Sequence, residues 1–500
     1  MSNKNNIRKT SDLKPREGEL RPPKGTDTPP VKSGQQLVFA DLIKAHAYAS
    51  LILLFAALGF GLITAYKFVR PEFLTDISYL TWGRTRFDHV QGILFAWLMN
   101  AIFAFCYFVV PSLTERQLPS RRLGWALFWL WNIGVVITGW VSVLLGYSQS
   151  VEWHEFPFFV DVILVVCWLG FMVQFLKPYW QPPRKPLYVS SWYIILAFTF
   201  TPFAYVMGGV APYEVSGIGG AAFSGLWIHD AVGILITPLA LAAIYYVTPS
   251  MTGRPVYSHL LSMVGFWSLA FFYPLNGTHH YLFSPIPVAA QNIAITASVL
   301  MGFSVLLVVF NLLVSLRNPK YAITDLPAYK WIWMGVIFYL IVSVEGSLQA
   351  LAPVQKIMHF SDWIVGHAHL ALAGFATFSV IGGIVHMWPN VTGRVLSAHK
   401  VNISFWLLLS GLLLMVLDLS AAGVVQGYLW NKGAPWLESV TASGMFWWVR
   451  LWSGVLIAAG FIALLTALLT TRSRYSDVAG VPAGNKDNSS MSTQAMGASG

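Results

Sequence analysis

The sequence predicts an all-α integral membrane protein, a bundle of twelve transmembrane helices. Three observations predict it. Hydrophobic residues make up 56% of the 500 positions and charged residues only 10%, where a soluble chain carries about a quarter charged. The mean hydropathy is +0.60. The apolar residues also come in long blocks, and about 20 of them in a helix cross a hydrocarbon core of roughly 30 Å. Backbone groups in lipid must bond within their own segment or within a closed barrel. Barrel strands would be about half as long and would alternate, so these blocks predict helices.

Residues 1–36 are polar, basic and proline-rich ("LKPREGELRPPKGTDTPPVKSGQQ") and read as a disordered tail. Residues 476–500 are small and polar and read the same way. Between them, 37–475 reads as one helical domain. Its apolar segments cover approximately 38–67, 87–111, 123–147, 157–177, 188–211, 221–249, 258–275, 288–316, 329–352, 362–389, 401–423 and 444–471. Alternate connections differ in Lys and Arg. With the N-terminus inside, the inner segments hold 23 of them and the outer loops 6, while Lys44 and Arg450 lie within helices. Lys and Arg accumulate on the cytoplasmic side, so both termini are expected there. The net charge of +10 is thereby a topology signal, which removes nucleic acid as a partner. Cys106 and Cys167 both fall in apolar runs and read as small core residues.

Twelve histidines occur, and six fall at helix ends that share one depth. His89 opens helix 2 and His229 opens helix 6. His279 and His280 follow helix 7, while His367 and His369 open helix 10. By the charge topology, all six lie in the outer part of the membrane. Each alone fits an interfacial hydrogen-bonding role, which is the reading for His46, His154, His259, His386 and His399. Six together point to function, because ionisable groups inside a bundle are costly. Two residues on a helix is about 200° of rotation, so His367 and His369 face opposite sides and would serve different metals. His279 and His280 stand on an irregular stretch with Gly277, Pro285 and Pro287, which can aim neighbouring rings at one ion. With His229 they would make three neutral imidazoles, suited to copper or zinc. His89 and His369 fit the two axial positions of a low-spin heme, leaving His367 to a five-coordinate heme.

The motifs "GRTRFDHV", "IHDAVGILITPLALAAIYYVTP", "GRPVYSHLLSMVGFW", "GTHHYLFSPIP", "VEGS" and "HFSDWIVGHAHLALAG" carry a resemblance. Over its twelve helices the chain resembles subunit I of the heme–copper oxidase superfamily, and most of all the C-type, cbb-type cytochrome c oxidases. The resemblance implies copper on His229, His279 and His280. It implies His367 on a high-spin heme b, and His89 with His369 on a low-spin heme b. Tyr273 matches the active-site tyrosine, tied in that family to a copper-ligand histidine, here His229. Tyr245, Tyr257 and Ser262 match a proton path from the cytoplasm, and Glu345 a carboxylate near the heme. His359 and Asp362 match the surroundings of heme propionates. Arg86, Glu152 and Glu155 match the family's propionate and calcium region.

The resemblance implies a catalytic subunit in a bacterial inner membrane. It would reduce O2 to water with four electrons and four protons, and it would add proton pumping. No CxxCH occurs in the sequence. Electrons are therefore expected from cytochrome c by way of membrane-anchored c-type cytochrome subunits. Two rival readings stand beside this one. Nitric oxide reductases of the superfamily share the six histidines, but use non-heme iron with nearby glutamates and lack the tyrosine. Asp230, next to His229, is a carboxylate that would bias the three-histidine site toward iron. A heme-binding transporter or sensor would explain paired axial histidines but not a three-histidine site.

Overall fold

The computed structural model describes residues 37–182, 186–317 and 327–473. The expected tails at 1–36 and 476–500 lie outside the described residues. Among the described residues, twelve helices are long and apolar enough to span a membrane. They are α1 Ala40–Val69, α2 Trp82–Thr114, α3 Arg121–Leu144, α4 Phe158–Trp180, α5 Val189–Glu214, α6 Ile218–Thr252, and α7, whose α-helical part is His259–Phe272. Then come α8 Val288–Leu316, α9 Tyr329–Gln349, α10 Asp362–Thr392, α11 Ala398–Asn431 and α12 Trp436–Leu469. A short helix, Ala352–Met358, bridges α9 to α10. Arg394–Val395 pairs antiparallel with Arg472–Ser473.

Burial sorts the helices into two shells. The apolar stretches of α2, α6 and α10 are 94%, 94% and 89% buried, against 28–56% for the other nine. A helix that is apolar all round belongs inside a bundle, and these three make its centre. They carry His89, His229, His367 and His369, four of the six histidines expected to be ligands, while His279 and His280 follow α7 in the outer shell.

Those central helices share a second feature. Each passes through a π-helical segment just after a histidine: Gly92–Leu98 after His89, Ala231–Ile236 after His229, and Leu370–Ala376 after His369. A π-turn inserts one residue and rotates everything beyond it. The histidine end of each helix is thereby set independently of its lipid-depth packing. A fourth π segment, Leu130–Ile137 in α3, follows no histidine.

The helices run past their predicted apolar ends. α12 starts at Trp436 rather than 444, and α11 ends at Asn431 rather than 423. α2 begins at Trp82 and α6 at Ile218, which places His89 in the second turn and His229 in the fourth turn rather than at the openings. In α7 the difference runs the other way. The α-helix stops at Phe272 and the chain continues as 3-10 turns over Tyr273–Leu275 and Gly277–Tyr281. Pro274 cannot donate to the preceding turn, and Gly277 permits a close approach to α6.

Candidate metal centre

Gly277 seats the 3-10 turn directly on α6. A Cβ on Gly277 would stand 2.6 Å from the Gly225 carbonyl oxygen, and one on Gly225 would stand 2.8 Å from that of Gly277. Two glycines in contact bring the backbones together four residues before His229. The rings of His279 and His280 then lie 4.7 Å and 5.5 Å from that of His229, and 4.6 Å from each other. One nitrogen from each lies within 4.8 Å of the other two.

Ring nitrogens show which atoms converge. His229 Nδ1 stands 3.3 Å from His280 Nε2. His279 Nδ1 is bonded to Ser298 Oγ at 2.8 Å, so its Nε2 is the free atom. Three neutral imidazoles with nothing harder among them suit copper or zinc. Asp230 is buried, yet it contributes no oxygen to the cluster and does not line the cavity. The expectation that this carboxylate biases the ion toward iron is therefore unsupported by its position.

Tyr273 packs beside His229, with ring centres 5.2 Å apart at 35°. Gly233, one turn beyond His229, makes that possible, since a Cβ there would sit 2.1 Å from Tyr273 Cδ1. Tyr273 and Thr237 both line the same cavity as the six histidines.

That cavity has a volume of about 650 Å3 and runs from the surface into the bundle. The rings of His89 and His369 face each other across it, 6.3 Å apart and 24° from parallel. Two imidazoles bonded from opposite sides to one metal at about 2 Å each have ring centres roughly 6 Å apart, so the pair fits a six-coordinate heme iron. Their outer nitrogens are both occupied: His89 Nδ1 donates to the Ala57 carbonyl at 2.9 Å and His369 Nδ1 to the Val365 carbonyl at 2.8 Å. Gly61 clears the His89 ring, because a Cβ there would lie 2.5 Å from Nδ1. His367 turns the other way, with Nδ1 3.3 Å from Glu345 Oε2. Such carboxylate partners orient a ligand imidazole and raise its basicity.

The remaining expected residues separate into groups. Arg86 and Glu152 line the cavity and form an ion pair of 2.6 Å. Glu155 does not line it. Its buried carboxylate accepts from Gln91, and burial pushes its pKa up to about 7. Asp362 lines the cavity and accepts from Gln426, Trp447 and Arg450. His359 lies off the cavity, stacked on Phe360 at 3.9 Å, and burial lowers its pKa.

Away from that cavity, Asn311 Nδ2 donates to Ser262 Oγ at 2.9 Å, and the buried Tyr245 hydroxyl lies beside them. Tyr257 is 60% exposed. Its backbone N–H donates to Ser315.

Four site residues were not expected from the sequence: Ser298, Thr237, Asn311 and Arg450. Arg450 carried a usable signal, a cation within a membrane helix. The other three are ordinary polar residues whose azimuth only the packing reveals. Among the remaining histidines, His46 bonds Asn100 at 2.8 Å in a buried site, and Cys106 and Cys167 are buried free thiols.

Residues 41–456 match the family model described as cytochrome c and quinol oxidase polypeptide I. A cytochrome c oxidase subunit 1 homolog of Agrobacterium tumefaciens is 27% identical over 447 residues, 85% of this chain and 82% of that one. The Cbb3-type cytochrome c oxidase subunit CcoN1 of Stutzerimonas stutzeri is 26% identical over 440 residues, 85% and 93% of the two chains. A nitric oxide reductase subunit of the same organism is 25% identical over 484 residues, 88% and 96%. In fold, the chain is similar to a heme–copper terminal oxidase dimer solved by cryo-EM. The TM-score is 0.73 at 15% identity, over 86% of this chain and 83% of that one.

Proposed function

This chain belongs to the cytochrome c and quinol oxidase polypeptide I family, and from that premise we propose that it reduces dioxygen to water as the catalytic subunit of a terminal oxidase. It is a multi-pass bacterial membrane protein. Family membership sets aside the transporter and sensor reading. One observation carries the choice of substrate: three imidazoles converge without a carboxylate among them, and Tyr273 packs against one of the three.

We assign copper to His229, His279 and His280, a high-spin heme to His367, and a low-spin heme to His89 and His369. The hemes and copper, when bound, supply the one-electron chemistry at oxygen. The residues of the chain set ligation and proton supply. Tyr273 offers a phenol proton and electron next to the three-histidine site, and it takes the covalent tie to His229 seen in the resembled family. Glu345 holds His367. Arg86 and Asp362 face the part of the cavity suited to propionates, joined there by Arg450, and His359, three residues before Asp362, is assigned to the same surroundings. Glu152 is the carboxylate open to a calcium ion on that side. Glu155 is turned to Gln91.

Tyr257, Tyr245 and Ser262, with Asn311, mark the inner end of a proton route along α6, α7 and α8. Tyr257 is its exposed mouth. Electrons are assigned to cytochrome c through membrane-anchored c-type cytochrome subunits. Both termini are placed in the cytoplasm, and proton pumping accompanies turnover.

Nitric oxide reduction at a non-heme iron is the alternative, kept by the similarity to a nitric oxide reductase subunit. Tyr273→Phe on the purified complex decides between them, with oxygen and nitric oxide consumption measured side by side. We expect oxygen turnover to collapse. Unchanged oxygen turnover would remove the role of Tyr273. A wild-type preparation with iron and no copper at the three-histidine site would move the assignment to nitric oxide.

A further inference from the structure

The hydrogen bond between His279 and Ser298 has a fixed direction. Ser298 Oγ donates its one proton to the Ala294 carbonyl at 2.7 Å, as helical serines do toward the preceding turn. It therefore meets His279 Nδ1, 2.8 Å away, only as an acceptor. A neutral imidazole has one N–H and one lone pair. The proton must sit on Nδ1, and the lone pair on Nε2.

Ser298 is itself held. Ser347 Oγ, on α9, donates to the Ser298 carbonyl at 2.9 Å. The two helices come close enough because position 302 is glycine; a Cβ there would lie 2.3 Å from Ser347 Oγ. Two residues before Ser347 on the same helix is Glu345, whose Oε2 faces His367 Nδ1. α9 therefore touches the outer nitrogen of His367 directly, and that of His279 through one intermediary on α8.

We propose that Ser298 is a positioning residue that selects Nε2 of His279 as the metal-binding atom, and that Ser347 locks it in place from α9. This inference rests on the assignment of one ion to His229, His279 and His280. Metal-bound histidines commonly give their second N–H to a carboxylate or carbonyl. Here a hydroxyl fills that place, and its own helix makes it an acceptor.

The test uses the purified complex carrying Ser298→Thr or Ser298→Val, which share one shape and differ by one hydroxyl. A helical threonine bonds the preceding turn in the same way, so it keeps the acceptor. Copper(I) affinity is measured by competition with a chelator, and the heme spectra report on folding. Ser298→Val should bind copper about 10–100-fold more weakly, the usual cost of losing such a partner, with both heme signals intact. Ser298→Thr should bind as wild type does. Wild-type affinity in the valine variant, or equal losses in both, overturns the inference alone. Wild-type protein with no ion at the three histidines overturns the assignment of the centre as well.

Discussion

Tyr273 and His229 pack ring against ring at 5.2 Å, over a helix surface that Gly233 leaves bare. Neither residue is free to move independently. His229 is fixed on the buried helix α6, and Tyr273 stands where α7 gives way to a 3-10 turn.

Gly233→Ala should therefore act as a mutation of the tyrosine. The added methyl would fall 2.1 Å from Tyr273 Cδ1, well inside contact distance, so the ring must leave. Misplacing a reacting group by about 1 Å costs on the order of 100-fold in rate. Oxygen turnover should fall by at least tenfold, with both hemes retained in the visible spectrum. Unaltered turnover would show that the phenol need not stand at that spot.

Opposite orientation on one helix makes the two α10 histidines separable. His369 faces His89 and His367 faces Glu345. His369→Leu should abolish the low-spin heme signal and leave carbon monoxide binding at the high-spin heme. His367→Leu should do the reverse. Loss of both signals from either change would mean that one heme spans the two histidines.

The spacing behind this separation was legible in the sequence, because rotation per residue is a property of every helix. So were the twelve spans, since lipid leaves few choices for an apolar run. Legibility failed where a face looks into the cavity instead of lipid. Trp436, Ser439 and Ser443 all line the cavity. They lower the hydropathy of the first turns of α12 without interrupting its helix. Asp230 shows the same limit at one residue. Its neighbour His229 joins the three-histidine cluster, and Asp230 does not. Both lie on the α-helical stretch before the π segment, where neighbours in sequence point about 100° apart, so adjacency to a cluster histidine does not make a residue part of the cluster. Ser298 and Asn311 are two of several polar residues spread along α8, and nothing in the sequence singles them out from the others.

Glu155 predicts a pH dependence with a definite sign. Burial raises its pKa from the ordinary value of 4.5 to about 7 in the folded protein. The folded state then holds the proton more tightly than the unfolded state. Its stabilising contribution is full below about 4.5 and is lost as pH rises through about 7. Glu155→Gln keeps the shape and cannot ionise. Thermal unfolding of the wild type relative to this variant should shift to lower temperature as pH rises from about 4.5 to about 7 and then level off, by the same linkage. A difference that stays constant across that range would contradict a buried, protonatable Glu155.

Arg450 offers a stability test at the cavity. Its largely buried guanidinium lies over the Phe68 ring at 4.8 Å and reaches Asp362 at 3.5 Å. Breaking a buried pair from one side leaves an uncompensated charge, at a cost of about 3–5 kcal/mol. Asp362 keeps its donors from Gln426 and Trp447, so the lower end of that range is expected for Arg450→Met. The loss should be seen as earlier thermal release of the low-spin heme. Adding Asp362→Asn removes the stranded charge and should recover part of it, since contacting residues are not additive. A double variant no more stable than Arg450→Met would show that the arginine acts by packing on Phe68 rather than by pairing with Asp362.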